Sequence, residues 1–275
     1  MGFRRNIHNA SKLDIVVPIY NGAKYLDQAL NSIDKLATKP NKVILIDNFS
    51  SDNTFDILTD WSRGKLNVEI FQNNKQLSFP ENWNYGLSLA KSDYVHFLAH
   101  DDVLKSNFIS NFDIILRKYP NLDAISMRVQ RFSDHNIYVK RKTSIPFDRE
   151  LNSEEYLIKS LVRNPFNLAG GIYRRNKLIE IGFMSEKYYL WSDWVLWRRL
   201  LKEGSVVRSW RVSSKYRLHS DFEKKSERLQ YVDHDLGLFI KDEVIPTVKS
   251  HNLTTNEVER IIAKLTSQVW ADARL

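Results

Sequence analysis

The most informative part of this sequence is Tyr94-Val95-His96-Phe97-Leu98-Ala99-His100-Asp101-Asp102. Its first five residues predict a buried strand, and a helix-like segment begins near Ser106. Adjacent carboxylates at a strand end repel each other, and a fold keeps them when a cation or a ribose lies in front of them. Mg²⁺ and Mn²⁺ prefer carboxylate oxygens and often bridge to substrate phosphates. The alternative is a polar turn that caps the next helix.

Three more strand-like runs precede this stretch, and helix-like segments separate them. The strands are predicted at 13–18, 42–47 and 67–71, and the helices at 23–36, 52–61 and 81–90. This alternation predicts an α/β fold with a mostly parallel, mixed sheet that helices flank on both faces. Pro18 is expected to end its strand or to lie at the edge of the sheet.

Polar residues follow three of these strands. Pro18-Ile19-Tyr20-Asn21 follows the first, Asp47-Asn48-Phe49-Ser50 the second and His100-Asp101-Asp102 the fourth. Ligands of parallel sheets bind beyond the carboxyl ends of the strands. We therefore expect these segments to share one rim.

The later part of the chain is less regular. A strand is predicted at 124–132, and a charged hairpin or loop at 133–147. A capped helix is predicted from Ser153, a second helix from Trp191 to about Lys202, and a short strand at 205–210. Helices follow from Glu223, with a break at Pro246 and a last helix at 255–270. The pair Gly170-Gly171 predicts either close approach of the backbone to a ligand or a bulge.

The composition is that of an ordinary globular protein, with 43% hydrophobic and 27% charged residues in a chain of 275. The chain has no cysteine, which excludes disulfides and thiolate metal sites. The net charge of +8 is spread over short clusters, a pattern that argues against a nucleic-acid partner. No apolar run approaches the roughly 20 residues that span a bilayer.

Four segments together resemble the family 2 glycosyltransferases of the GT-A (Rossmann-like) fold. They are Val17-Pro18-Ile19-Tyr20-Asn21, the stretch from Ile46 to Thr54 (similar to V-D-D-G-S-x-D-x-T), the stretch from Asn84 to Asp102 (similar to N-x-G followed by D-x-D), and Trp191-Ser192-Asp193-Trp194. The resemblance covers about residues 11–220. It implies a nucleotide-sugar-binding half at 1–120, an acceptor-binding and catalytic half at 121–222, and a C-terminal helical extension at 223–275.

The resemblance also implies roles for single residues. Pro18 and Tyr20 would lie on the donor side, with Tyr20 stacked on the donor base, and Asp47 and Asn48 would contact that base. Asp101 would lie near the ribose, and Asp102 and His219 would bind Mn²⁺ or Mg²⁺. Asp193 matches the catalytic base of the family.

Each of these roles has a plainer alternative. Asp193 or Ser192 could be the N-cap of its helix. Tyr20 could pack in the core, and His219 could be an ordinary surface histidine. Trp191 and Trp194 could stack on acceptor sugars, but large aromatic side chains are more often part of a core.

The chain departs from the family pattern at three positions. Asn48 stands for the second Asp of V-D-D-G-S, Phe49 for its Gly, and His100 for the first Asp of D-x-D. The carbonyl of Asn48 can still accept a hydrogen bond from a base N–H. The intact Asp102 keeps metal dependence as the expectation.

The expected function is inverting transfer of a sugar from a UDP- or dTDP-sugar to a glycan or lipid-linked glycan. Analogy with the family indicates a role in the synthesis of a bacterial-type surface polysaccharide, such as an O-antigen or a capsule. The expected location is the cytoplasm or the inner face of the membrane, where the positive charge favours peripheral association. One competing hypothesis is a non-catalytic sugar-nucleotide-binding module. A nucleotidyltransferase is less consistent with the sequence, because the Gly-rich loop of such enzymes is missing near the N-terminus.

Overall fold

The computed structural model describes residues 12–134, 147–218 and 223–274, and one nine-stranded sheet organises them. The strands are β1 Leu13–Ile19, β2 Lys42–Asp47, β3 Val68–Gln72, β4 Tyr94–Phe97, β5 Val103–Leu104, β6 Ala124–Phe132, β7 Arg149–Glu150, β8 Gly171–Arg174 and β9 Val206–Arg217. The helices are α1 Ala23–Asp34, α2 Thr54–Ser62, α3 Phe79–Leu89, α4 Phe108–Lys118, α5 Ser153–Lys159, α6 Arg175–Ile181, α7 Ser192–Glu203, α8 Glu223–Phe239, α9 Ile245–Ser250 and α10 Thr255–Arg274.

The sheet has a parallel part and a mixed part. The strand order is β3-β2-β1-β4-β8-β6-β9-β5, and β7 pairs with β9. Strands β1 to β4 pair in parallel, whereas β8 is antiparallel to both of its neighbours, β4 and β6. The prediction of a mixed α/β sheet flanked by helices is confirmed. Strands β1 to β4 form one parallel block, and β6 and β9 are also parallel to each other.

Pro18 lies inside β1 rather than at its end, in a strand that has β2 on one side and β4 on the other. The ladder to β4 joins Leu13–Val16 to Tyr94–Phe97, so it ends two residues before the proline. The ladder to β2 continues past it to Ile19. A missing N–H is tolerated here because β4 has already ended at this level.

Alternation along the central strands divides the core between the two faces of the sheet. Ile15 and Val17 point toward the layer that contains Leu26 and Phe112. Val16 and its neighbours on β2 point toward the layer of α3 and α7. At Gly86 of α3, an added Cβ would come within 2.6 Å of Val16 Cγ1. The Gly of the N-x-G motif is therefore explained by close packing of a helix on the sheet.

The glycine pair at the start of β8 also has an internal reason. A Cβ at Gly170 would overlap the carbonyl oxygen of Met127, and one at Gly171 would overlap the hydroxyl of Tyr173. Both positions face protein atoms. Neither of the two predicted reasons, ligand approach or a bulge, is needed to explain the pair, because Gly170 packs against β6 and Gly171 against a side chain of its own strand.

Two predicted elements have other bounds than expected. Strand β9 has twelve residues rather than six and ends at Arg217, because it pairs with β6 along almost its whole length. Pro246 does not break the helix before it. A π-helical segment, Ile240–Val244, leads from α8 directly into α9, and such a wide turn accommodates the missing N–H of a proline.

The C-terminal helices pack on α7. Phe239, Val244 and Leu265 form a buried cluster with Trp194 and Val195. Across the described ranges, no helix is both long enough and apolar enough to cross a membrane. The C-terminal helices thus share a buried apolar cluster with α7.

Candidate active site

The three predicted rim segments lie together, as the strand order β2-β1-β4 requires. The backbone N–H of Asn21 donates to Ser50 Oγ at 3.0 Å, which joins the turns after β1 and β2. The ring of His100 lies over Gly22, where an added Cβ would come within 3.0 Å of its Cδ2. The prediction of one shared rim is confirmed.

The second half of the V-D-D-G-S-x-D-x-T-like segment holds the start of α1. Asp52 accepts from the backbone N–H of Ala23 at 3.1 Å, and Thr54 Oγ1 accepts from that of Gly22 at 2.8 Å. These N–H groups lie at the N-terminus of α1, where oxygen partners satisfy otherwise unpaired donors. Asp52 and Thr54 therefore position the rim.

Asp47 and Asn48 are buried on this rim and already have protein partners. Asp47 accepts from Ser50 N at 3.2 Å and from Gln72 Nε2 at 2.9 Å. The Asn48 carbonyl accepts from Asn73 Nδ2 at 2.8 Å and from Leu77 N at 2.9 Å. Both lone pairs of that carbonyl are used. A base N–H would have to displace one of these donors to reach it.

Two aromatic side chains stand exposed above this floor. Tyr20 is 41% exposed, so it is not part of the core, and Phe49 is 55% exposed. Phe49 has a φ of +60°, which lies in the left-handed region that favours glycine. It occupies the position at which the family motif has its Gly. Pro18, by contrast, is buried within β1, and its donor contact stays a prediction.

Asp102 is buried, with only 2% of its surface exposed, and its Oδ1 accepts from the backbone N–H of Arg217 at 2.9 Å. Burial and the negative charge of Asp101 raise the pKa of Asp102 well above its ordinary value. The polar-turn alternative is partly right, because the N–H of Asp102 donates to Ala99 O at 3.1 Å. The turn lies before β5, however, and the helix that follows has Asn107 as its N-cap.

Arg217 links this turn to α1, and no sequence motif indicated a role for it. Its Nε donates to the Asp101 carbonyl at 3.0 Å, and its two Nη atoms donate to Asp134 and Gln28, each at 2.6 Å. The guanidinium carbon lies 4.2 Å from the centre of the Tyr25 ring, a cation–π distance. The sequence offered one hint of this role: Arg217 lies two residues before His219, a proposed metal ligand.

His219 lies outside the described residues. Within the described part of the chain, no three His, Asp or Glu side chains form a group that could hold a metal ion. Asp101 and Asp102 still supply the hard oxygen ligands that Mg²⁺ and Mn²⁺ prefer. A divalent cation would also relieve the repulsion between the two adjacent carboxylates, so the donor set fits such an ion.

Asp193 is the second residue of α7, whose N-cap is Trp191, so the N-cap alternative is wrong for both Ser192 and Asp193. Its carboxylate accepts from Asn164 Nδ2 at 3.1 Å. Asn164 is held in turn, because its carbonyl accepts from the backbone N–H of Phe166 at 3.2 Å. A side-chain amide thus fixes the orientation of the carboxylate.

Burial raises the pKa of Asp193 to about 6, although the Asn164 amide and two backbone N–H groups favour its charged form. A carboxylate with such a pKa is a usable proton acceptor near neutral pH. Burial also raises the pKa of Tyr173, and the charge of Asp193 adds to that rise. Tyr173 lies on β8, which pairs with β4 through Val95.

Trp194 belongs to the core. It is 6% exposed, its Nε1 donates to Ser160 O at 2.7 Å, and its ring centre lies 4.6 Å from that of Phe239. Trp191 is half-buried, and its ring contacts the rings of Trp194 and Phe239. The packing alternative is therefore correct for Trp194, and an acceptor contact stays a prediction for Trp191 alone.

Known proteins match the chain in sequence and in fold. The family model described as glycosyl transferase family 2 matches residues 14–182. The glycosyltransferase GlyG of Streptococcus pneumoniae is 24% identical, over 82% of this chain and 75% of its own. An Escherichia coli relative, named as UDP-Gal:alpha-D-GlcNAc-diphosphoundecaprenol beta-1,3-galactosyltransferase, is 25% identical, over 70% of this chain and 69% of its own.

A solved structure supports the fold. Residues 1–349 of TarS from Staphylococcus aureus, in complex with UDP-GlcNAc, superpose with a TM-score of 0.69, over 94% of this chain and 72% of that one, at 17% identity. The match of the family model extends over more than half of the chain and includes the rim. The chain therefore belongs to glycosyl transferase family 2.

Proposed function

We propose that this protein transfers a sugar from a UDP- or dTDP-sugar to a lipid-linked or glycan acceptor, with inversion at the anomeric carbon. The observation that carries the proposal is the Asp193 carboxylate, which Asn164 orients and burial tunes to a pKa of about 6. The E. coli relative supports it, because its name contains both a UDP-sugar and a diphosphoundecaprenol acceptor. The TarS complex supports a uridine donor.

In the proposed reaction, Asp193 takes the proton of the acceptor hydroxyl as its oxygen attacks the anomeric carbon. The new glycosidic bond forms while the bond to the diphosphate breaks, and the leaving diphosphate keeps the electron pair. A positioned base of this kind contributes about 10²–10⁴-fold. Only one carboxylate base is needed, because the displacement is direct.

The rim would hold the donor. The nucleobase of the donor would lie against Tyr20, with Asp47 and Asn48 at the bottom of its pocket. The ribose would lie near Asp101. Mn²⁺ or Mg²⁺, held by Asp102 and His219, would neutralise the charge that develops on the leaving diphosphate. The biological role that we propose is synthesis of a surface polysaccharide such as an O-antigen or a capsule, at the inner face of the membrane.

The test is turnover of UDP- and dTDP-sugars by the purified chain, with a sugar-diphosphate lipid as acceptor and Mn²⁺ present. We expect one donor to be consumed with formation of a product of inverted anomeric configuration, and EDTA to stop the reaction. A folded sample that consumes none of the donors would exclude the transferase proposal and favour the binding module.

A further inference from the structure

The segment that leads into α7 is held by a residue that no motif contains. Asp235 of α8 is fully buried. Its carboxylate accepts from the backbone N–H groups of Tyr189 at 3.1 Å, Leu190 at 2.7 Å and Trp191 at 3.0 Å. Three successive backbone donors thus converge on one side chain from the C-terminal helices.

This contact lies directly before the candidate base. Trp191 is the N-cap of α7, and Asp193 follows two residues later. Hydrogen bonds between a carboxylate and N–H groups are among the stronger ones in proteins. All three backbone N–H groups along 189–191 bond this one carboxylate, so the start of α7 is tied to α8.

A second anchor holds the middle of α7 to the same helices. Arg198 is buried, and its guanidinium donates to Glu243 Oε2 and to Thr247 Oγ1, both at 2.7 Å. The same group donates to Leu157 O at 2.7 Å. Helix α7 is thereby fixed along its length from the side of the C-terminal helices.

We propose that Asp235 is a positioning residue for the transfer reaction, setting the start of α7 and with it the place of the Asp193 carboxylate. The C-terminal helices are on this view a part of the catalytic unit. The inference rests on the proposed function. It assigns to the region after residue 222 a task that an appended membrane or pairing segment would not have.

The test compares Asp235→Asn with Asp233→Asn, which makes the same charge change at an exposed position of the same helix. An amide cannot accept at both former oxygen positions, so the Tyr189–Trp191 segment loses at least one bond. We expect kcat per folded molecule to fall by up to about 10²-fold, as small misplacements of catalytic groups do. The affinity for UDP and the KM for the donor should stay within twofold of the control.

A purely structural role would instead lower the fraction of folded protein and leave kcat per folded molecule within twofold of Asp233→Asn, which would overturn the inference. Hydrogen exchange of the unaltered protein gives a second measurement that does not need the variant to fold. The amides of 189–191 should be protected although they lie outside any helix or strand, and rapid exchange there would also overturn it. An unaltered protein that is folded but inactive with every donor would refute the proposed function instead.

Discussion

The donor rim and the start of α7 are held in different ways. On the rim, short polar side chains at the end of β2 bond the backbone at the end of β1, its neighbour in the sheet. At α7, the backbone is held by Asp235, which lies more than 40 residues later in a helix outside the sheet. The first arrangement follows from strand pairing, whereas the second depends on how separate helices pack.

Because of this difference, mutations in the two regions should have different effects on activity. The rim has several small contacts, so the loss of one leaves the others in place. The candidate catalytic base, Asp193, is oriented by a single side-chain amide, that of Asn164. The backbone before it is held by a single buried carboxylate, that of Asp235. We therefore expect changes at the rim to alter donor affinity gradually and changes around α7 to alter turnover steeply.

The largest effect should come from Asp193→Asn. An amide cannot take the acceptor proton, so turnover should fall by about 10²–10⁴-fold, while affinity for UDP, a property of the rim, stays unchanged. Steady-state kinetics and calorimetric titration with UDP measure the two. Asp56→Asn, at an exposed position of α2, is the control. Equal losses of turnover and UDP affinity would mean that the two regions are not separable.

A large effect on stability is expected from Arg217→Met. The change removes the hydrogen bonds to the Asp101 carbonyl, to Gln28 and to Asp134. The loss of the two part-buried bonds, to Asp101 and Gln28, should lower the free energy of unfolding by about 1–2 kcal/mol. Urea unfolding measures this. Arg63→Met, at an exposed end of α2, should change it by less than about 0.5 kcal/mol. A similar small change at Arg217 would show that the rim does not depend on this link.

The pH dependence should identify the base. Because the pKa of Asp193 is raised to about 6, kcat/KM should fall about tenfold for each pH unit below 6. The raised pKa means that protonation of Asp193 favours the folded state, so this group does not unfold the protein as the pH falls. Thermal melting at pH 5 and pH 7 checks that point. A profile that stays flat to pH 4.5 would exclude Asp193 as the base.

The smallest effect is expected from Phe49→Gly. A left-handed backbone costs a residue with a side chain about 1–2 kcal/mol, so glycine should raise the free energy of unfolding by about 1 kcal/mol. Phe49→Ala keeps the Cβ and should give no gain, which separates the backbone effect from loss of the ring. Urea unfolding of both variants decides. Equal stability of the two would show that the backbone at 49 is not strained.

The rim could be predicted because local sequence carries it. Apolar runs such as 42–47 specify buried strands, and parallel pairing then brings their carboxyl ends together. The exposure of Tyr20 follows from its place beyond a strand end. The sequence could not show that the Asn48 carbonyl is already saturated, because its donors, Asn73 and Leu77, come from another loop.

The surroundings of α7 were predicted less well. Trp194 and Asp193 are neighbours in one motif, yet one packs in the core and the other meets Asn164. Asn164 and Asp235 look like ordinary polar residues of a loop and a helix. Which polar residue meets which backbone group depends on helix packing, and no periodicity records it.

The amino-acid sequence was enough to predict the alternation of strands and helices, the shared rim and the resemblance to family 2 glycosyltransferases. These follow from periodicity and from motifs of neighbouring residues. The packed fold was needed to show that Asp235 holds the start of α7, that Arg217 links β9 to the Asp101-Asp102 turn, and that burial raises the pKa of Asp193. The physical reason is that burial and backbone hydrogen bonding at these positions arise from segments far apart in the chain, and they exist only once those segments have packed.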